Sequence, residues 1–80
     1  MLKIFFKNIG QNLLWVVVDE SGYITDCNTK KSSWLHCHVK CQKPDIKFLN
    51  PGEWVYISRD NDKVRYPYEV EKIEPVEAAG

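Results

Sequence analysis

The chain is predicted to be mainly β, either a small antiparallel sheet or an SH3-like or OB-like barrel of five to seven short strands. Segments rich in Val, Ile, Trp and Tyr recur along its 80 residues, and turns bearing glycine or proline separate them at close spacing. The 3.6-residue apolar period of a helix is lacking over most of the chain. Hydrophobic residues make up 44% of the composition, enough to form a core rather than a disordered chain.

Three strands are predicted in the first third of the chain. Residues 2–8 form a short strand, and residues 13–19 form a strand that is rich in Val and Trp. Because apolar and polar side chains do not alternate at 13–19, we expect a central strand covered on both faces. The sequence Asp19-Glu20-Ser21-Gly22 fits a type I turn closed by glycine in the left-handed region. Residues 23–27 then return as the partner strand.

Residues 34–41 contain both histidines and two of the three cysteines. In a strand, successive side chains point to opposite faces. The apolar face would then carry Leu35, Cys37, Val39 and Cys41. The other face would carry Trp34, His36, His38 and Lys40. The alternative is a short helix near 33–41 with Ser33 as its N-cap, which would make the fold α+β.

Residues 54–59 and 64–73 are predicted to form a last hairpin, whose register decides which aromatic rings are free. In the favoured register, the β-branched residues of the first strand face the core together with Val64, Tyr66 and Tyr68. The outer face would then carry Trp54, Tyr56, Arg65 and Pro67, with the proline marking an edge strand. A three-residue loop would instead gather Trp54 and Tyr56 with the two tyrosines in a four-ring cluster.

One domain is expected at residues 1–74, followed by a flexible tail at 75–80. The longest apolar run, residues 13–18, is far shorter than the roughly 20 residues of a membrane-spanning helix. Three cysteines cannot all pair within one chain. We therefore expect a cytoplasmic protein with reduced thiols and no membrane association.

The favoured function is that of a small non-enzymatic interaction module, which binds a protein partner or a second copy of itself. It would use an exposed aromatic surface or a sheet edge. The partner-binding residues would be Trp54, Tyr56, Arg65 and Trp34. Neither a nucleophile with a neighbouring base nor a cofactor motif is visible, so no cofactor and no catalytic residue are predicted.

The first alternative function is binding of single-stranded nucleic acid by basic side chains interleaved with rings for base stacking. The candidate residues are Lys30, Lys31, Trp34, His36, His38, Lys40, Lys43 and Lys47. Eleven basic residues balance eleven acidic ones, and the last third of the chain is acidic. This balance opposes the alternative, because carboxylates repel phosphates.

The second alternative is a small zinc-binding domain, because His-x-His is a real ligand spacing. The candidate ligands are His36, His38, Cys37, Cys41 and Cys27. A strand at this segment would send the histidines and the cysteines to opposite faces. Structural zinc sites normally show two close ligand pairs, whereas one is visible here.

Overall fold

The computed structural model describes residues 1–7, 13–29, 34–35, 37–58 and 65–76. The strands are β1 (Leu2–Phe6), β2 (Trp15–Val18), β3 (Ile24–Cys27), β4 (His38–Lys40), β5 (Trp54–Ser58) and β6 (Arg65–Pro75). A one-turn 3-10 helix spans Ile46–Phe48. The prediction of a mainly β fold is confirmed, and the described residues contain no helix long and apolar enough to cross a membrane.

All the strands belong to one antiparallel sheet with the order β3-β2-β1-β6-β5-β4, which curls into a half-barrel. The curl brings its two edge strands together at a single bridge between Tyr23 and His38. Beside this bridge, the Ile24 N–H donates to the Cys37 carbonyl at 2.9 Å, and the Val39 N–H donates to the Gly22 carbonyl at 2.8 Å. These contacts form the β3–β4 seam.

Strand β6 connects the two halves of the sheet. Its first half pairs with β5, from Ser58 opposite Arg65 to Trp54 opposite Glu69. Its second half pairs with β1, and the register shifts between Phe5 and Phe6. Such a shift inserts an extra residue, which bends a strand and increases its twist. A single long strand can therefore serve both halves of a curled sheet.

Strand alternation places one side chain in two in the core. The largest fully buried side chains come from five of the strands and from Leu13. They are Ile4, Leu13, Ile24, Ile57, Val16, Val18, Val55 and Val70. Strand β2 lies between β1 and β3, as predicted for a central strand, but its outer side chains, Trp15 and Val17, are only half-buried.

Among the described residues of the segment predicted as a strand at 34–41, the strand is confined to His38–Lys40. Trp34 begins a turn instead, in which the Cys37 N–H donates to the Trp34 carbonyl at 3.3 Å. Within the strand, Val39 is buried and Lys40 is exposed, so the predicted alternation is confirmed there. The helical alternative is wrong at His38–Lys40, while Ser33 and His36 lie outside the described residues.

The favoured register of the last hairpin is confirmed. Val55 lies opposite Tyr68 and Ile57 lies opposite Tyr66, whereas Tyr56 lies opposite Pro67. The rings of Trp54 and Tyr56 therefore leave the core side, and the four-ring alternative is wrong. Val64 and the loop predicted at residues 60–63 lie outside the described residues.

The end of β6 lies beside the start of β1. The strand predicted to stop at residue 73 continues to Pro75, which pairs with Leu2. The Val76 N–H then donates to the Met1 carbonyl at 2.9 Å. The first two residues of the segment predicted as a tail thus bond to β1, and residues 77–80 lie outside the described residues.

Replacing Tyr68 by phenylalanine is expected to reduce the alkaline loss of stability. Burial, with a smaller effect of Tyr66, raises the pKa of the Tyr68 phenol above 10.0. The stability linked to this group is fully present below the pKa of the unfolded phenol and is lost as pH rises through the higher folded pKa. The Lys7 pKa, raised mainly by its hydrogen bond to Glu69, acts in the same alkaline window and remains in the variant. Urea unfolding between about pH 8 and pH 11 measures the difference, and an unchanged alkaline slope in Tyr68→Phe would contradict the assignment.

Candidate protein-interaction surface

The outer side of β4, β5 and β6 carries aromatic and cationic side chains next to one another. Tyr56 lies between Lys40 of β4 and Pro67 of β6, and Trp54 lies two residues before Tyr56 on β5. Residues directly opposite in an antiparallel sheet point to the same side, as do residues two apart along a strand. We call the following set the β5 face: Lys40, Trp54, Tyr56, Arg65 and Pro67.

The two rings of the β5 face are open to solvent. Trp54 is 50% exposed and Tyr56 is 36% exposed, whereas Val55 between them is fully buried. Among the described residues, no ring or ammonium group packs over either ring. The buried neighbours fix the strand, so the rings project from a rigid base.

Rings elsewhere on the outer side of the sheet are covered. The Lys3 Nζ lies 4.2 Å from the centre of the Trp15 ring and 5.1 Å from that of Phe5. The Lys72 Nζ lies 4.5 Å from the centre of the Phe5 ring. Lysine stems and ammonium groups shield apolar rings in this way while the charge stays in water. The Trp54 and Tyr56 rings of β5, which are open to solvent, thus differ from the covered rings of β1 and β2.

Among the described residues, two acidic side chains near the β5 face have ion-pair partners, whereas the cations of the face have none. Glu69, opposite Trp54, pairs with Lys7 at 2.7 Å, and Glu53 pairs with Lys43 at 3.7 Å. Neither cation of the face, Lys40 or Arg65, forms an ion pair with a carboxylate in the described part of the chain.

Trp34 does not belong to this surface, although it was grouped with Trp54, Tyr56 and Arg65 from the sequence. Its ring meets Tyr66 edge-on at 6.0 Å between centres, and Tyr68 at 6.2 Å. Both tyrosines lie on the core side of the hairpin, and Trp34 packs against the core. Strand alternation misplaced this ring because Trp34 lies in a turn rather than in β4.

The structure brings together some of the residues predicted for nucleic-acid binding and separates others. Lys40 lies on the β5 face and Lys43 pairs with Glu53. The Lys47 Nζ lies 5.3 Å from the Phe48 ring in the 3-10 helix. The remaining members are Trp34 in its ring cluster, His38 at the seam, and Lys30, Lys31 and His36 outside the described residues. Of the described members, His38, Lys40 and Lys43 line one cleft, whereas Lys47 borders a second cleft and Trp34 packs in the ring cluster.

The candidate metal ligands are engaged in other contacts. The Cys27 thiol donates to the Thr29 carbonyl at 3.4 Å, and the Cys41 thiol to the Lys43 carbonyl at 3.7 Å. The His38 ring stacks on Tyr23 with centres 4.7 Å apart, and its Nε2 lies 2.8 Å from the Ser21 carbonyl oxygen. The described residues contain no group of three or more His, Cys, Asp and Glu side chains that could hold an ion. His36 lies outside them.

Two neighbouring clefts lie beside the 3-10 helix. One, of about 390 Å³, extends from the seam along β4 and is lined in part by His38, Lys40 and Lys43. The other, of about 340 Å³, lies between Met1 and the 3-10 helix. The His38 Nε2 that borders the larger cleft already contacts the Ser21 carbonyl.

Lys40 is a member of the β5 face that sequence reasoning missed. Alternation assigned it to the outer side of β4, which is correct. Its place beside Tyr56 depends on the pairing of β4 with β5, a contact between strands separated by the 3-10 helix and a turn. Nothing local in the sequence signals that pairing.

Comparison with known proteins gives no indication of what the β5 face binds, so its own geometry and chemistry are the guide to its function. The chain matches no protein-family model, no curated protein and no solved structure.

Proposed function

We propose that the protein is a non-enzymatic interaction module that binds a protein partner through the β5 face. The observation that carries this proposal is the pair of open rings, Trp54 and Tyr56, side by side on one strand. Tryptophan, tyrosine and arginine are the residues enriched at the energetic centres of protein interfaces. The aromatic surface is preferred to a sheet edge because the edge strands β3 and β4 bond to each other at the seam.

The exposed area of Trp54 is large enough to anchor a complex. A tryptophan side chain can bury up to about 250 Å², so half exposure leaves about 120 Å² in water. At about 25 cal/mol per Å², covering that area contributes about 3 kcal/mol before the costs of association. This is the size of a typical interface hot spot.

The position of the rings on β5 keeps the cost of binding low. Val55 and Ile57 are fully buried, and β5 is bonded on one side to β4 and on the other to β6. The backbone is thus already ordered, and an aromatic ring has only two side-chain torsions to fix. Pro67 beside Tyr56 adds an apolar group whose backbone torsion is restrained.

Replacing Trp54 by alanine is expected to weaken partner binding about tenfold or more without unfolding the domain. Affinity capture from a lysate of the source cells, with and without nuclease, compares the wild type with Trp54→Ala. The matched control is Phe48→Ala, which removes a ring that is 52% exposed but lies in the 3-10 helix. We expect a stoichiometric protein that persists after nuclease and is lost with Trp54→Ala alone.

Two results would overturn the proposal. One is a partner retained equally by the wild type and Trp54→Ala; the other is a nucleic acid whose digestion removes all companions. Sedimentation of the pure protein tests the case in which the partner is a second copy of the chain. A dimer that Trp54→Ala dissociates would place the β5 face between copies. A cytoplasmic setting remains part of the proposal, supported by the odd number of cysteines.

A further inference from the structure

We propose that the β5 face selects an acidic protein segment, in which carboxylates flank an apolar or aromatic residue. This inference rests on the proposed function and adds the chemistry of the partner. It follows from where Lys40 and Arg65, which form no ion pair with the described residues, lie relative to the open rings. The apolar residue of the segment would cover Trp54 and Tyr56, and its carboxylates would reach Lys40 and Arg65.

The two cations lie on different sides of Tyr56. Lys40 is its direct partner across the β4–β5 pair. Arg65 is opposite Ser58, two residues after Tyr56 along β5, and is therefore diagonal to Tyr56. Both side chains are exposed, and both belong to strands held in the sheet. A segment that covers the Tyr56 ring would thus pass close to both cations.

The acids near the face are largely neutralised within the protein. Glu69 pairs with Lys7 and Glu53 pairs with Lys43. Glu71, which is exposed on β6, also raises the Lys7 pKa, by less than Glu69 does. Among the described residues, the charged side chains beside Tyr56 are therefore the cations Lys40 and Arg65, although the chain as a whole has no net charge.

The charge pattern favours carboxylates over other partner groups. Arginine binds a carboxylate through two parallel hydrogen bonds, and a charge-assisted bond is roughly twice as strong as a neutral one. A basic partner would leave Lys40 and Arg65 facing like charges, which interfaces avoid. A nucleic acid would also supply anions, but tight binding of its backbone normally uses many cations, and the β5 face provides two.

A random peptide display library selected against the purified protein tests the inference. We expect the selected peptides to be enriched in Asp and Glu around an apolar residue and to lose binding with Trp54→Ala. The double variant K40E/R65E should weaken them about tenfold or more. The matched control is Lys3→Glu combined with Lys47→Glu, which changes the net charge equally on two residues that lie outside the β5 face and form no ion pair among the described residues. Binding of the selected peptides to each variant is measured by fluorescence polarisation, and a dT oligonucleotide is titrated in the same assay.

The outcomes separate this inference from the proposed function. Neutral or basic peptides that depend on Trp54 would overturn the acidic preference and leave the interaction surface standing. Equal weakening by both double variants would also overturn it, since only the net charge would then matter. A library that yields no Trp54-dependent peptide would overturn both. Binding of the oligonucleotide that is tighter than any peptide and is lost with K40E/R65E would reassign the face to nucleic acid.

Discussion

Replacing Gly22 by alanine is expected to lower the free energy of unfolding by about 2 to 5 kcal/mol, from backbone strain and crowding together. Gly22 has a φ of 88°, in the left-handed region that side chains with a Cβ rarely adopt. An added Cβ would lie 2.8 Å from the Val39 carbonyl oxygen and 3.1 Å from the His38 Nε2. Val39 is backbone-bonded to Gly22 itself, so relief of the clash must open the β3–β4 seam.

Gly52 provides the matched control for this prediction. Its φ is 90°, almost that of Gly22, but nothing lies within 4 Å of the position of an added Cβ. Gly52→Ala should therefore show the backbone strain alone, about 1 to 2 kcal/mol. Urea unfolding of both variants, followed by far-ultraviolet circular dichroism, measures the difference. Equal losses of unfolding free energy in the two variants would mean that the seam accommodates the added Cβ of Gly22→Ala at no further cost. For a domain of this size, whose total stability is of order 4 to 12 kcal/mol, the larger loss approaches unfolding.

Trp34→Ala is expected to cost about 2 to 4 kcal/mol of unfolding free energy, through lost ring contacts and lost burial. The Trp34 ring meets two tyrosines edge-on, and one of these, Tyr68, packs in turn against Phe6 with ring centres 4.9 Å apart. Removing Trp34 therefore uncovers the buried Tyr68 and leaves space that its neighbours cannot fill without moving.

Trp54→Ala is the matched control for Trp34→Ala. Its ring has no ring contact among the described residues, and its loss should change stability by less than about 1 kcal/mol. Circular dichroism is the proper probe for both variants, since each removes a fluorophore. If Trp54→Ala were the destabilising change and Trp34→Ala were neutral, the assignment of one ring to the core and the other to the interface would be reversed.

The last hairpin shows how far the sequence can specify this fold. The alternation of Trp54, Val55, Tyr56 and Ile57 gives two faces of different polarity, and burial of the β-branched residues decides between the registers. The register predicted in this way is the register observed between β5 and β6. Local turn chemistry was similarly informative at Gly22, which has the positive φ predicted for the glycine that closes its turn.

The ring contacts of Trp34 could not be predicted from its neighbours in the sequence. Its ring contacts are tyrosines of β6, some thirty residues further along the chain, and the turn that presents it interrupts the strand period. Lys40 illustrates the same limit, because its neighbour Tyr56 depends on which strands become adjacent. Alternation along a strand predicts a face, whereas the composition of a surface also depends on long-range pairing.

The shared strand β6 has a consequence for how the chain folds. Until Arg65–Pro75 is in place, β1 and β5 each lack their partner on one side, and the two halves of the sheet have no strand in common. The contacts that β6 makes with β1 join partners nearly a whole chain length apart, such as Leu2 and Pro75. Forming them requires closure of a very long loop, so folding is expected in milliseconds to seconds rather than microseconds. Variants within β6 should then slow folding more than they speed unfolding, because docking of this strand would be the step that commits the chain.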